Sequence, residues 1–334
     1  FQVDWLMLKG ITTGSEWVMV DSRRGDFYLL ADTNGAEAAY TAVDFLSTGF
    51  RLTSTGYNES GRDFIYWAVA KNVPSNTTLA NSFKAITYNG NGGTQSITGT
   101  GFTPDLVWIK HRNEANDHVV TDSIRGRGLL YANGNDAQNQ DSQLTSFDSD
   151  GFSLAYASGQ NVKFNKSSGS YVAWCWKAGN TWQSNLDGTI ASTINANTAN
   201  GFSIVKGTAS GGLNTVNSFG HGLGVKPDLI IIKATTADNW YVYNSISGAG
   251  KSLYLNDPAA EFSTTNVWAN TEPTTSVFSI KDGQTVSVGA TFIAYCFHSV
   301  SGYSKIGTYS GSNSAVSVDT GFKADWVMIK RTDS

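Results

Sequence analysis

Gly248-Ala249-Gly250-Lys251-Ser252 ends like a phosphate-binding loop. That chemistry needs a Gly at the position of Ser245 and a helix after the Ser. Leu253-Tyr254-Leu255 follows instead and reads as a strand, so the segment predicts a Gly-rich turn. Asp148-Ser149-Asp150-Gly151 hints at calcium. A calcium loop needs further acidic positions and a closing Glu, and Ser146 stands where the first would fall. A turn before Phe152 is the simpler reading. His111, His118, His221 and His298 are scattered, and none pairs with Cys at zinc-ligand spacing. Cys175 and Cys296 sit in equivalent apolar runs and read as buried free thiols. Glycosidase chemistry needs two carboxyls held about 5–9.5 Å apart. Glu is sparse and no acidic pair recurs, so the residues predict no enzyme, no cofactor and no metal.

Sugar binding uses aromatic rings beside amide donors and acceptors. Tyr57 next to Asn58, Trp182, Trp240 next to Asn239, and Trp268 next to Asn270 have that character. The candidate ligand residues are therefore Tyr57, Trp182, Asn239, Trp240 and Trp268. The competing role for such large aromatics is packing in a core or a joint.

Composition narrows the classes. The chain has 334 residues, 23 Lys and Arg, 27 Asp and Glu, and a net charge of −4. Charged residues make up 15%, against about 25% in ordinary soluble domains. No basic run marks a nucleic-acid surface, and no apolar stretch is long enough for a membrane helix. With 40% hydrophobic and 12% aromatic residues, buried cores are expected.

The elements that would hold these residues repeat. Asp4-Trp5-Leu6-Met7-Leu8-Lys9 returns as Asp105-Leu106-Val107-Trp108-Ile109-Lys110, as Asp228-Leu229-Ile230-Ile231-Ile232-Lys233 and as Asp325-Trp326-Val327-Met328-Ile329-Lys330. The copies lie about a hundred residues apart, a domain-sized repeat. Asp21-Ser22 with Arg24-Gly25 matches Asp122-Ser123 with Arg125-Gly126 and Asn244-Ser245 with Gly248. Gly49-Phe50 matches Gly151-Phe152. The aromatic runs Phe64–Val69, Tyr171–Trp176 and Phe292–Phe297 align as well.

Each segment is short, rich in Val, Ile, Trp, Tyr and Phe, and bounded by Gly, Asn, Asp and Ser. The expected fold is all-β: tandem β-sandwich repeats, jelly-roll or concanavalin-like, with little helix. The boundaries are 1–80, 81–198, 199–299 and, for the beginning of a fourth unit, 300–334. The one helix-like stretch is Ala36 to Val43. Polar joints are expected at Asn72 to Thr78 and from Gly179 to Asn200. The aromatic runs are apolar on both faces, as only a strand covered on both sides is. One face belongs in a sandwich core; the other faces a loop, a neighbouring unit or another protomer. The chain starts and stops within the same repeated strand. That reads as a piece of a longer repeated chain, with a closed ring of paired terminal strands as the alternative.

Gly101-Phe102-Thr103-Pro104-Asp105-Leu106-Val107-Trp108-Ile109-Lys110 resembles the repeats of an uncharacterised domain family in phage virion proteins, especially of marine phages. Asp122-Ser123-Ile124-Arg125-Gly126, Tyr171-Val172-Ala173-Trp174-Cys175-Trp176-Lys177-Ala178-Gly179 and Gly220-His221-Gly222-Leu223 are similar too. The resemblance covers most of the chain from Phe83 onward. The first unit departs, with Val3 in place of the Pro and Ala68 in place of the Cys. It implies a structural protein of a phage virion, in a tail fibre or similar appendage. The expected partners are itself, as a homotrimer by fibre analogy, other virion proteins and a host cell-surface glycan. A lectin-like receptor-binding module is the alternative, and a glycan-degrading tailspike is the third. The family has no catalytic residues to carry over.

Overall fold

The computed structural model describes residues 5–6, 16–39, 43–53, 55–70, 82–140, 143–155 and 161–332. The fold is all-β and built from antiparallel sheets. The second unit shows the plan. Its large sheet runs in the order Leu129–Tyr131, Val119–Asp122, Leu106–His111, Ser170–Trp176, Phe83–Asn89. A smaller sheet of Leu144–Asp148, Gly151–Leu154 and Gln95–Thr98 packs on one face. Gly151 is required there: a Cβ would stand 1.9 Å from the Ile97 carbonyl oxygen of the paired strand. Gly49 meets the Val318 carbonyl at the same distance, which accounts for the repeated Gly-Phe.

The third unit repeats the order with Lys251–Tyr254, Trp240–Asn244, Leu229–Ala234, Thr291–Phe297 and Phe202–Thr208. Its small sheet pairs Val216–Gly220 with Val277–Lys281. The stretch from Gly179 to Asn200 reads in the sequence as a polar joint. It holds a hairpin, Gln183–Asn185 and Ser192–Asn197, that extends the third unit's sheet. Its strands are polar apart from buried Ile194 and half-buried Ala196, so they carry little apolar signature.

The first unit is completed by the last part of the chain. Its sheet places Val18–Asp21 beside Ala324–Arg331, then Asp63–Ala70, then Ser304–Ser310. Val316–Asp319 pairs with Gly49–Leu52 in the small sheet, beside Val43–Leu46. The segment expected to begin a fourth unit thus lies in the first unit's sheets. Trp5–Leu6 pairs with the same Val18–Asp21 strand. The Ala36 to Val43 stretch is not helical where described: Ala38–Ala39 pairs with Phe27–Leu30, and Val43 opens a strand. The joint expected at Asn72 to Thr78 lies outside the described residues.

Each large sheet is apolar on both faces, and the second face meets the neighbouring units. Trp67 of the first unit lies 5.8 Å from Trp176 of the second and 4.2 Å from Phe297 of the third, centroid to centroid. Trp326 packs 5.6 Å from Trp176. The residual space at this centre is about 10 Å³ and wholly apolar, too small for a ligand. The second unit alone would expose Leu106, Trp108, Val120, Val172, Trp174 and Trp176 on this face. At about 1.5–3 kcal/mol per large apolar side chain, that exposure rivals the whole stability of a domain. The three units therefore stand or fall together.

Candidate functional site

The joints between units are built from the repeated residues. The backbone N–H of Glu37 donates to the carbonyl of Arg112 in the second unit at 2.7 Å. Gln138 does the same to Thr235 of the third at 2.8 Å, and Glu261 to Thr332 of the first at 3.3 Å. These residues occupy equivalent positions, so the three contacts close a ring.

Side chains follow the same cycle. Trp17 Nε1 donates to the Tyr254 carbonyl, and Trp240 Nε1 to the Tyr131 carbonyl, each at 2.8 Å. His118 holds the equivalent place in the second unit. Its Nδ1 accepts from Trp108 Nε1 at 2.9 Å, and burial holds its pKa well below the usual value, so the ring is neutral. The Leu30 carbonyl of the first unit opposes that shift weakly.

The repeated Asp and Lys have separate tasks. Asp105 accepts from Ser123 Oγ at 2.9 Å and from the Ala178 N–H at 2.9 Å. Asp228 accepts from Ser245 Oγ at 3.0 Å and the Ser299 N–H at 2.8 Å. Each ties its strand start to its neighbours. The lysines turn into the joints. Lys110 Nζ donates to the carbonyls of His111 at 2.7 Å and Asn34 at 3.3 Å. Lys330 Nζ reaches the Pro258 carbonyl at 3.1 Å, and Lys233 Nζ those of Ala234 and Thr236. Burial lowers the Lys110 pKa to about 7 and the Lys233 pKa to about 8.

The turn pairs differ between joints. Arg24 Nε donates to Asp21 Oδ2 at 2.6 Å, and its Nη1 faces Glu37 Oε2 at 3.7 Å. Glu37 also pairs with Arg112 at 2.8 Å. Arg125 Nε donates to Asp122 Oδ2 at 2.7 Å, and Tyr295 of the third unit donates its hydroxyl to the same oxygen at 2.7 Å. Burial opposes the Arg125 charge, but Asp122 and Tyr295 outweigh it and raise its pKa. The third unit has Asn244 and Ser247 in these places, with the Ser247 N–H on Asn244 Oδ1 at 2.8 Å.

The sequence-derived candidates do not converge on one site. Trp240 is 1% exposed and serves as the joint donor; Trp268 is 1% exposed and donates to Ser252 Oγ at 3.3 Å. Neither ring can stack on a sugar, because each is packed inside the protein. Asn239 is half-buried and accepts from Asn256 Nδ2 at 2.9 Å. Tyr57 and Trp182 are half-buried and pack against the central core. The Gly248 to Ser252 segment is a turn running into a strand, with Lys251 Nζ on Glu261 Oε2 at 2.8 Å. Asp148 and Asp150 are used in turns, accepting from Ser146, Ser153, Gly99 and Gly101. Among the described residues no cluster of three His, Cys, Asp or Glu could hold a metal.

A family described as a domain of unknown function, DUF7483, matches residues 1–73 and 79–334. The chain belongs to this family. No curated protein and no solved structure matches it. The match runs through all three units, so the repeated strands and joints are internal to the family's domain.

Proposed function

We propose that the chain is a non-enzymatic structural module of a phage virion, part of a tail fibre or similar appendage. The observation that carries this reading is the ring of joints: three equivalent backbone contacts and one shared aromatic core tie every unit to the other two. Such a body resists local opening, because no unit can unfold without exposing the faces of its neighbours. That is what an extracellular load-bearing part needs. The resemblance of the Gly101 to Lys110 and Tyr171 to Gly179 segments to phage virion repeats supports the same placement. Its partners in this reading are further copies of itself and other virion proteins.

The test is electron microscopy of virions labelled with an antibody raised against this chain. Labelling of a tail fibre or appendage is the expected result. Particles that carry no label would sink the reading. A lectin-like receptor-binding module is the second reading, favoured by one feature, an open polar cleft between the second and third units.

A further inference from the structure

The joint between the second and third units contains a cleft of about 300 Å³. Arg125 and Gln138 line it from the second unit; Lys206, Thr235, Thr291 and Phe292 line it from the third. The Arg125 side chain is 3% exposed and its Nε and Nη2 are used by Asp122, Val120 and Tyr295. Its Nη1 is buried with no hydrogen-bond partner. Gln138 Oε1, on the same wall, is also buried and unpartnered. Unpaired buried groups of this kind cost about 1–3 kcal/mol each, so they mark a place where something else completes them.

The pseudo-equivalent first joint shows what is missing. There Glu37 stands at the position of Gln138, and Arg112 at the position of Thr235. Arg24 Nη1 is also buried and makes no hydrogen bond, but there the Glu37 carboxylate faces it at 3.7 Å and pairs with Arg112 at 2.8 Å, so the guanidinium has an acid opposite it. In the second joint the carboxylate has become an amide and the second Arg a Thr. A cation has also been gained: Lys206, exposed on the wall, occupies the register that Thr87 holds in the second unit. In the third joint Ser247 stands at the position of Arg24 and Arg125, and Glu261 is paired with Lys251. Among the described residues at these equivalent positions, only the second joint presents a guanidinium with no acid across from it.

We propose that this cleft binds the carboxylate-bearing ring of an acidic saccharide. The carboxylate meets Arg125 Nη1 and Lys206, the charge-assisted contact that a guanidinium makes best. Gln138 Oε1 accepts from a ring hydroxyl, with Thr235 and Thr291 within the same cleft. Sulfate has no O–H to satisfy that amide oxygen, and it would leave most of the cleft unfilled. The volume lies at the lower end of ligand pockets, matching one sugar ring rather than a chain.

The test is isothermal titration calorimetry of the purified chain with sodium glucuronate, glucose and sodium sulfate. The Gln138→Glu variant restores the first joint's carboxylate and so fills the cleft's positive site from within. Saturable binding of glucuronate, absent for glucose and sulfate and at least about tenfold weaker in Gln138→Glu, is the expected result. The variant should fold at least as stably as the wild type, because Arg125 gains a partner. Binding of sulfate equal to glucuronate overturns the saccharide. Equal binding by wild type and Gln138→Glu overturns the site, and no glucuronate binding overturns the proposal. These outcomes concern the isolated chain and leave the virion placement, tested on particles, untouched.

Discussion

Trp17 in the first unit donates its indole N–H to the backbone carbonyl of Tyr254 in the third, 2.8 Å away and 237 residues along the chain. Trp240 makes the same bond to Tyr131, one unit further round the ring. Replacing Trp17 with Phe keeps most of the ring and removes the donor. The Tyr254 carbonyl is then left without this partner, at a cost of about 1–3 kcal/mol. Trp240→Phe should cost a similar amount, and both should lower one common unfolding transition in urea. Separate transitions for the units would contradict the shared core.

Asp122→Asn leaves the buried Arg125 without its carboxylate. Breaking a buried pair in this way costs about 3–5 kcal/mol. The third unit carries Asn244 and Ser247 at these positions, so the double variant Asp122→Asn, Arg125→Ser should recover much of the loss. A double-mutant cycle from denaturation midpoints measures the coupling. Simple additivity of the two changes would show that the pair is not coupled.

Lys110 gives the joint a pH dependence. Burial lowers its pKa from 10.5 to about 7 in the folded chain. Between those values the unfolded chain binds more protons, so the contribution of Lys110 to stability rises as pH rises from 7 towards 10. Below pH 7 both states are protonated and the burial penalty is present in full. The wild type should gain on Lys110→Met with rising pH by up to about 1.4 kcal/mol per unit, a comparison in which the other titrating groups cancel. A difference that stays flat from pH 7 to 10 would show that the ammonium is not desolvated.

Cys175 and Cys296 are both fully buried, and burial pushes their thiols up from the ordinary value. A chromogenic disulfide reagent should find no reactive thiol in the native chain and two in denaturant. Fast native reaction of either thiol would place it at the surface.

The strands and their two apolar faces are legible in the sequence, because the repeat shows them three times over and side chains alternate along a strand. What covers the second face is not. Trp174 and Tyr295 read as core aromatics, and only folding shows that they reach Asp21 and Asp122 of the preceding units. The closing strand is ambiguous for a related reason. Residues 4–9 and 325–330 carry the same pattern, and a pattern fixes a strand's faces without naming its neighbours. The candidate aromatics fail on the same point, since Trp beside Asn describes a sugar platform and a joint donor equally well. Asp122 with Arg125 reads as a turn, which it is. The unpartnered face of Arg125 depends on Gln138 and Thr235, which the sequence does not bring together.

The last part of the chain completes the first unit of the same molecule. Asp63 and Ser310 are exposed Cα partners in neighbouring strands, joined by the Ser310 hydroxyl to the Asp63 carboxylate. Paired antiparallel residues lie about 4.5–5.5 Å apart, within the span of a disulfide. The double variant Asp63→Cys, Ser310→Cys should therefore oxidise at low concentration to a bridge within one chain, seen as a monomer of altered mobility on a non-reducing gel. Bridges only between chains, or none, would contradict the closed arrangement.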